Sequence, residues 1–179
     1  MKQHWLYLKA VCRHKWFVFL ACLQFDIPLW TALWHDIDKF LPQMWTPYAR
    51  YFYGAWRGPN LDRNVEAPPD VYLPFEYAWN WHQKRWGHHW QHWVRIGDDG
   101  TILALAMPDR HRREMLADWF GAGRAYLKDW TPLEPRKWYE KNKDKMKLHP
   151  DTRAWVEAEL LRRETEYQDE IRFRAILGM

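Results

Sequence analysis

The sequence contains few cysteines, no long apolar run and no large excess of one charge. Its two cysteines, Cys12 and Cys22, lack the CxxC spacing that metal and redox sites use. We therefore expect two buried thiols in a reducing compartment and no disulfide framework. The longest apolar stretch, over residues 16–25, is about half as long as the roughly 20 residues that a membrane-spanning helix requires.

The charge balance gives little indication of a macromolecular partner. The chain has 27 basic and 23 acidic residues, for a net charge of +4, and the basic residues are not gathered into one tail. This balance suits an anionic ligand and does not predict binding to duplex nucleic acid. The basic residues before the apolar stretch resemble the start of a signal peptide, but no clear cleavage site follows them. We expect a buried helix in a cytoplasmic protein with no membrane association.

What the sequence does contain is tryptophan and helical periodicity. Its 15 tryptophans are expected to fill a core or line a pocket, with some exposed for stacking. The length of 179 residues predicts a single domain, over 1–179, with its own core. No internal repeat is present.

The apolar pattern and the positions of proline and glycine predict an all-α fold. Helices are expected over residues 4–25, 29–40, 44–56, 75–95 (with a break allowed at Gly87), 108–122, 134–147 and 150–177. Residues 57–74 are rich in proline and are predicted to form a loop, which at this length is often functional or mobile. Residues 101–106 are predicted to form a short strand or an extended link.

The adjacent pair His35-Asp36 is the most informative motif. An imidazole beside a carboxylate offers two metal ligands of different hardness. On a helix the two side chains would point about 100° apart, so a shared metal would have to lie between them. Lys39 shares the face of His35 and is expected to bind a phosphate oxygen or to pair with the adjacent acid, and Asp38 is a candidate outer-sphere partner. The alternative is a solvated helix end with no function.

Further histidines precede and follow this pair. His14 lies one helix earlier and would reach the pair if the two helices pack antiparallel. In the segment 81–93, the spacing of the histidines places two pairs on shared helix faces. We predict that His82 and either His88 or His89 are ligands. The alternative is a surface helix with histidines outside and tryptophans inside, and His92 is assigned to the surface or to the outer sphere.

Two acids lie on one face of the helix predicted over 108–122. Asp118 is flanked by Ala117 and Trp119, which predicts partial burial, and a partly buried carboxylate needs a partner such as a metal ion. Asp118 is therefore a candidate ligand. Glu114 is a candidate general base, a residue that orients water, or an outer-sphere partner. The alternative is a solvated acidic face opposite an apolar one.

Taken in order, these residues resemble the HD-domain metal-dependent phosphohydrolase superfamily. That family is all-helical, with a histidine on an early helix, a His-Asp pair on the next helix and an aspartate on a later one. Members with two metals have additional histidines between the pair and the last aspartate. The corresponding residues are His14, His35, Asp36, His82, His88 or His89, and Asp118. The resemblance covers about residues 10–122, and it implies an HD-like core over about 4–122 followed by C-terminal helices over about 134–177.

The run His35–Phe40, together with the later histidines and acids, is also similar to a small family found in phage and bacterial genomes. That family usually has serine at the position of Asp38 and has no established activity. A phage-encoded member would act in the host cytoplasm.

The resemblance implies a hydrolase that acts on a nucleotide or on a cyclic or linear oligonucleotide. One or two divalent ions (Mn, Fe, Co, Ni, Zn or Mg) would activate water. Asp36, which is able to bridge two ions, Lys39 and Glu114 are the expected catalytic residues. Substrate contacts are expected from Lys39, Lys84, Arg85, Trp34 and Trp86. The long C-terminal helix would suit a homodimer interface.

Two other classes of function fit the sequence. The first is a module that binds or sequesters a nucleotide on the same helical scaffold without hydrolysis, and that therefore tolerates the loss of a catalytic acid or base. The second is an interaction protein that docks a partner through its aromatic surface. For that class, alanine at His35 and Asp36 would leave function unchanged.

Overall fold

The structure is a computed structural model that describes residues 1–128 and 131–177. Seven α-helices lie within these ranges, which confirms the predicted all-α class. They are α1 (Lys2–Gln24), α2 (Leu29–Trp34), α3 (Pro42–Tyr53), α4 (Pro69–Arg85), α5 (Asp109–Ala122), α6 (Leu133–Asn142) and α7 (Pro150–Leu177). An antiparallel hairpin joins β1 (Val94–Ile96) to β2 (Ile102–Ala104), with Val94 opposite Ala104.

Several predicted boundaries were wrong. The predicted helix over 29–40 is two pieces, since α2 ends at Trp34 and a 3-10 turn covers Ile37–Phe40. The predicted loop over 57–74 is shorter, because α4 already begins at Pro69, where the missing proline N–H is not needed. The predicted helix over 75–95 ends at Arg85, and a 3-10 turn and β1 follow it.

Helix α1 lies at the centre of the fold and contributes to both hydrophobic clusters. In its C-terminal half Val18, Ala21 and Cys22 pack with residues of α5, α6 and α7. The same face of α1, nearer its N-terminus, presents Tyr7 and Val11, which pack with residues of α3 and α4. The C-terminal helices therefore share a core with the N-terminal part of the chain.

The two cysteines of α1 differ in environment. Cys22 is buried as predicted, and burial raises the pKa of its thiol to about 12. The prediction for Cys12 was wrong, because its position on the outer face of α1 leaves it exposed. None of the described helices is both long enough and apolar enough to cross a membrane.

Helices α1 and α5 pack tightly against each other at Gly121. A Cβ atom on Gly121 would lie 2.6 Å from the Cα of Val18, which is closer than backbone and side chain can pack. His14 and Asp118 lie about one helical turn before these two residues. The glycine therefore sets the helix separation at which a histidine of α1 meets an aspartate of α5.

We predict that Gly121→Ala lowers the free energy of unfolding by about 1–3 kcal/mol, because overpacking pushes α1 and α5 apart. Urea denaturation checks this. The matched control is Gly123→Ala, where the new methyl group would meet only the end of the Glu134 side chain, at 3.2 Å. Equal stability of Gly121→Ala and the wild type would contradict this account of the helix crossing.

Candidate metal centre

Seven side chains that the sequence suggested as metal ligands come together in the structure. Five are buried, and His89 and Asp118 are partly buried. They come from α1, the α2 end, α4, the turn after α4, and α5. The seven are His14, His35, Asp36, His82, His88, His89 and Asp118. Residues remote in sequence thus form one buried cluster of nitrogen and oxygen donors.

The His35-Asp36 pair lies at a break in the backbone, and the prediction that it lies on a helix was wrong. Helix α2 ends at Trp34, His35 is extended, and Asp36 adopts the left-handed conformation with φ 54° and ψ 26°. Aspartate is among the few non-glycine residues that tolerate this conformation. The break lets both side chains face the cluster, with 3.5 Å between His35 Nε2 and Asp36 Oδ2.

Lys15 stabilises this break. Its ammonium group donates a hydrogen bond of 3.2 Å to the carbonyl of Leu33 and a second bond to the carbonyl of His35. A cation at the carbonyl end of a helix is favourable because the last carbonyls lack intrahelical partners. No local sequence pattern indicates this role, because the contact spans two helices.

The first group of donors surrounds one oxygen of Asp36. Nε2 of His14 lies 3.2 Å from Asp36 Oδ2 and 3.2 Å from Asp118 Oδ1. Nε2 of His35 lies 3.5 Å from each of the same two oxygens. Ligand atoms that bind one ion at about 2.0–2.2 Å are separated by about 3.0–3.6 Å. These four atoms therefore have spacings that suit a single metal ion.

The second group surrounds the other oxygen of Asp36. Oδ1 lies 3.3 Å from Nε2 of His82 and 3.3 Å from Nε2 of His88. His89 completes a set whose atoms are all within 4.8 Å of one another. The structure brings both His88 and His89 to the cluster, so the choice between them disappears. His88 and His89 both follow the end of α4. The prediction that His82 and His89 share a helix face was therefore wrong.

Asp36 thus belongs to both groups, with one carboxylate oxygen directed to each. A carboxylate in this arrangement can bridge two ions, which in two-metal sites lie about 3.5–4 Å apart. A third group of donors, formed by His35, His88 and Glu114, also satisfies the spacing for an ion. Asp36 is fully buried, so no solvent competes for its oxygens.

Buried atoms that have no hydrogen-bond partner support the fit to metal ions. Within the described part of the chain, the unpartnered buried atoms include the Nε2 atoms of four cluster histidines and one oxygen of each aspartate. They are Nε2 of His35, His82, His88 and His89, Oδ1 of Asp36 and Oδ1 of Asp118. An unsatisfied buried polar atom costs about 1–3 kcal/mol, and these six converge on the same two positions. The chemistry of this donor set suits divalent ions.

Two further acids orient the histidines from outside. Glu114 Oε1 lies 3.0 Å from Nδ1 of His35, and Asp38 Oδ2 lies 2.9 Å from Nδ1 of His82. An acceptor at Nδ1 holds the proton on that nitrogen and turns Nε2 toward the cluster. Of the three roles open to Glu114, its contacts match the outer-sphere partner. Asp38 is likewise an outer-sphere partner, but of His82, whereas the sequence suggested that it would support His35.

The carboxylates control the protonation of the histidines. Burial alone would lower the pKa of His35, but Asp36, Asp118 and Glu114 together raise it to about 9. Burial alone would raise the pKa of Glu114, but its bonds to His35 and His88 lower that pKa to about 2. Burial and the neighbouring imidazoles hold the pKa of His89 well below its usual range. The cluster therefore keeps Glu114 ionised and His35 protonated, and a metal ion bound at His35 would displace a proton.

Two cavities contact the cluster at different residues. The first, of about 340 Å³, touches it at His14 and also contains Lys39, and the second, of about 480 Å³, touches it at His88, His89 and Asp118. Lys39 Nζ lies 2.5 Å from Asp36 Oδ2, and its side chain is 14% exposed. A ligand in either cavity would meet the cluster directly.

The side chains predicted to bind substrate lie elsewhere. Of the five predicted substrate contacts, only Lys39 lines one of the two cavities. The other four line neither cavity: Trp34, Lys84, Arg85 and Trp86. Trp34 is exposed beside Trp30. Lys84 donates to the carbonyls of Gln91 and Val94 at 2.7 and 3.1 Å, respectively.

The other two also have local contacts. Arg85 lies over the ring of Trp81, 5.1 Å from its centroid. Trp86 is half-buried with its ring 6.2 Å from that of His88. The cavities instead contain Arg63, Trp79 and Tyr126, which the sequence analysis did not identify. The one signal that would have found Arg63 was its place in the long proline-rich loop.

Residues 3–162 match one protein family, described as "Family of unknown function (DUF5662)", and the chain therefore belongs to that family. The match includes every residue of the cluster, together with α6 and the first half of α7. No curated protein and no solved structure matches the chain.

We predict that protein purified without chelator and loaded with Mn, Co or Zn binds two ions per chain. Asp36→Asn should lose most of both, because each group loses an anionic oxygen, whereas His82→Ala should retain about one. Elemental analysis measures this stoichiometry, and thermal unfolding confirms that each variant is folded. His92→Ala is the matched control, since His92 is exposed and bonds to the Lys84 carbonyl. Two ions retained in Asp36→Asn would contradict the bridge.

Proposed function

We propose that this protein is a metal-dependent phosphohydrolase of the HD type that acts on a nucleotide or an oligonucleotide. The observation that carries the proposal is the position of Asp36. Its two oxygens face two separate groups of donors. Lys39, whose ammonium group is paired with Asp36, lines a cavity. This combination suits a phosphate group held between two ions and a fixed cation.

The donors define which ions the cluster would accept. His14, His35 and Asp118 would hold the first ion, His82, His88 and His89 the second, and Asp36 both. Five imidazoles and two carboxylates suit Mn, Fe, Co, Ni or Zn better than Mg, which prefers oxygen ligands. Ions bound there would supply Lewis-acid activation of a water molecule.

Lys39 would contribute a fixed positive charge. Burial opposes the charged form, but Asp36 raises the pKa of Lys39 well above its usual range, so the ammonium group stays protonated. It lines the first cavity and can donate hydrogen bonds to a non-bridging phosphate oxygen. Because Asp36 holds it in place, this donor needs little reorganisation during the reaction.

The remaining residues position these groups. Glu114 and Asp38 fix the ring orientation of His35 and His82, and Lys15 fixes the backbone between His35 and Asp36. In the reaction, the water oxygen forms a bond to phosphorus and one ester P–O bond breaks. The leaving oxygen takes a proton, and the products are a phosphate with one fewer ester bond and an alcohol.

A module that binds a nucleotide without hydrolysis is the second candidate. One observation favours it: the residues that line the first cavity include no carboxylate that could act as a general base for water, and the one histidine among them, His14, is a candidate metal ligand. Such a module would use the same donors and the same Lys39, but it would release its ligand unchanged. Turnover by metal-loaded protein separates the two candidates.

We predict that metal-loaded protein hydrolyses bis(p-nitrophenyl) phosphate or a nucleotide, and that Lys39→Met lowers kcat by about 10²-fold, the usual loss for one preorganised donor. Release of p-nitrophenol or of a free hydroxyl product measures this. Lys147→Met, on the exposed surface, is the matched control and should retain wild-type activity. If protein carrying two ions binds nucleotides but hydrolyses none of these substrates, the binding module is correct and the hydrolase is not.

A further inference from the structure

The two cavities beside the cluster are both lined with aromatic side chains, and they meet at the cluster. We infer that the substrate is a phosphodiester whose two esterified groups occupy one cavity each, with an additional anionic group on the side of the first cavity. A linear dinucleotide with a terminal 5′-phosphate has this chemistry. The inference rests on the proposed function and names the substrate class of the same site.

The first cavity suits a planar ring with a negative charge. Seven aromatic side chains line it together with two cations, Lys39 and Arg63. The aromatic residues are Tyr7, Tyr48, Phe52, Tyr53, Phe75, Trp79 and Tyr126. Lys39 is paired with Asp36 at the cluster, and it would therefore contact the phosphate group that reacts there. Arg63 is a second, separate cation in the same cavity.

Arg63 is available for a ligand. It lies in the segment between the 3-10 turn Ala55–Arg57 and α4, and its side chain is exposed. Across residues 1–128 and 131–177, no carboxylate forms an ion pair with it. No acid lines the cavity to compete for it. An arginine beside aromatic rings recognises phosphate by paired hydrogen bonds, and this favours a terminal phosphate on the group that occupies the first cavity.

The second cavity suits an uncharged ring. It contains Trp90, Trp119 and Trp138, which present flat apolar surfaces. Its charged residues beyond the cluster, Glu134 and Lys145, have opposite signs. A nucleoside would stack on such indole faces, since stacking on aromatic side chains accepts every base. The charge difference between the cavities orients the ligand, with its anionic end in the first.

Two residues line both cavities and join them to the cluster. The ring of Tyr126 stacks on His14, with centroids 5.8 Å apart and planes 10° apart. Trp79 lies against His82, at 5.8 Å and 29°, and against His89 at 5.3 Å. The boundary between the cavities is therefore formed by side chains packed on the candidate ligands of both ions. A phosphate at the cluster has an aromatic cavity on either side.

The volumes agree with two occupants. The cavities measure about 340 and 480 Å³, and each is within the range of about 300–1,000 Å³ that holds one small organic ligand. A mononucleotide would fill only one of them. A phosphodiester with one esterified group in each cavity would use the stacking surfaces of both cavities. Its hydrolysis then yields a phosphomonoester and a free hydroxyl group.

The test compares three substrates of the metal-loaded full-length protein: a 5′-phosphorylated dinucleotide, the same dinucleotide without its 5′-phosphate, and a mononucleotide. We expect kcat/KM to fall at least about tenfold from the first to the second and again to the third, as loss of a charged contact or a stacked base implies. Equal kcat/KM for all three substrates would overturn the inference while leaving the hydrolase intact.

Two variants assign the cavities. Arg63→Gln should reduce the preference for the 5′-phosphate at least about fivefold. Trp138 lies at the partly exposed rim of the second cavity. Trp138→Ala should raise KM for the dinucleotide at least about fivefold. The matched controls are Arg95→Gln and Trp30→Ala, which alter exposed residues outside both cavities. Wild-type values in both cavity variants would overturn the assignment.

Calorimetric binding of the phosphorylated dinucleotide separates this inference from the proposed function. If metal-loaded protein hydrolyses nothing but binds this dinucleotide at least tenfold more tightly than the mononucleotide, and both cavity variants weaken that binding, the cavity assignment stands and the hydrolase fails. If the dinucleotide binds no more tightly than the mononucleotide, the two-cavity inference fails whether or not hydrolysis occurs.

Discussion

The carboxylate of Asp36 is the group on which the rest of the site depends. It is fully buried, and such a charge is stable only if its surroundings compensate for the lost water. Lys39 provides one fixed compensation, and four histidine nitrogens lie within 3.2–3.5 Å of the two oxygens. Because two of these nitrogens lie near each oxygen, a single carboxylate organises two groups of donors. The left-handed backbone at Asp36 is what makes this position accessible.

The fold supplies the rigid frame that such a cluster needs. Helix α1 carries His14 into the interior as a candidate ligand, and the adjacent, partly buried Lys15 secures the end of α2. The close contact of α1 with α5 brings Asp118 to the same place. Glu114, one turn earlier on α5, holds the ring of His35. Packing of the two helices thus controls both the first group of donors and its outer partners.

The sequence predicts the fold class and the identity of the candidate ligands more reliably than their geometry. Apolar periodicity locates the seven helices, and the order of histidines and aspartates, with the family resemblance it carries, points to the side chains that converge, with His88 and His89 left as alternatives. The break between Trp34 and Asp36 was not predictable, because the apolar pattern continues across it and the left-handed residue is not a glycine. The roles of Lys15, Arg63, Trp79 and Tyr126 depend on contacts between distant segments, which no local pattern encodes.

The most direct test of a two-ion cluster bridged by Asp36 is anomalous diffraction from crystals of the Mn-loaded protein. The account predicts two peaks about 3.5–4 Å apart, one among His14, His35 and Asp118 and the other among His82, His88 and His89, with the Asp36 carboxylate between them. A single peak, or peaks that the Asp36 carboxylate does not join, would contradict it.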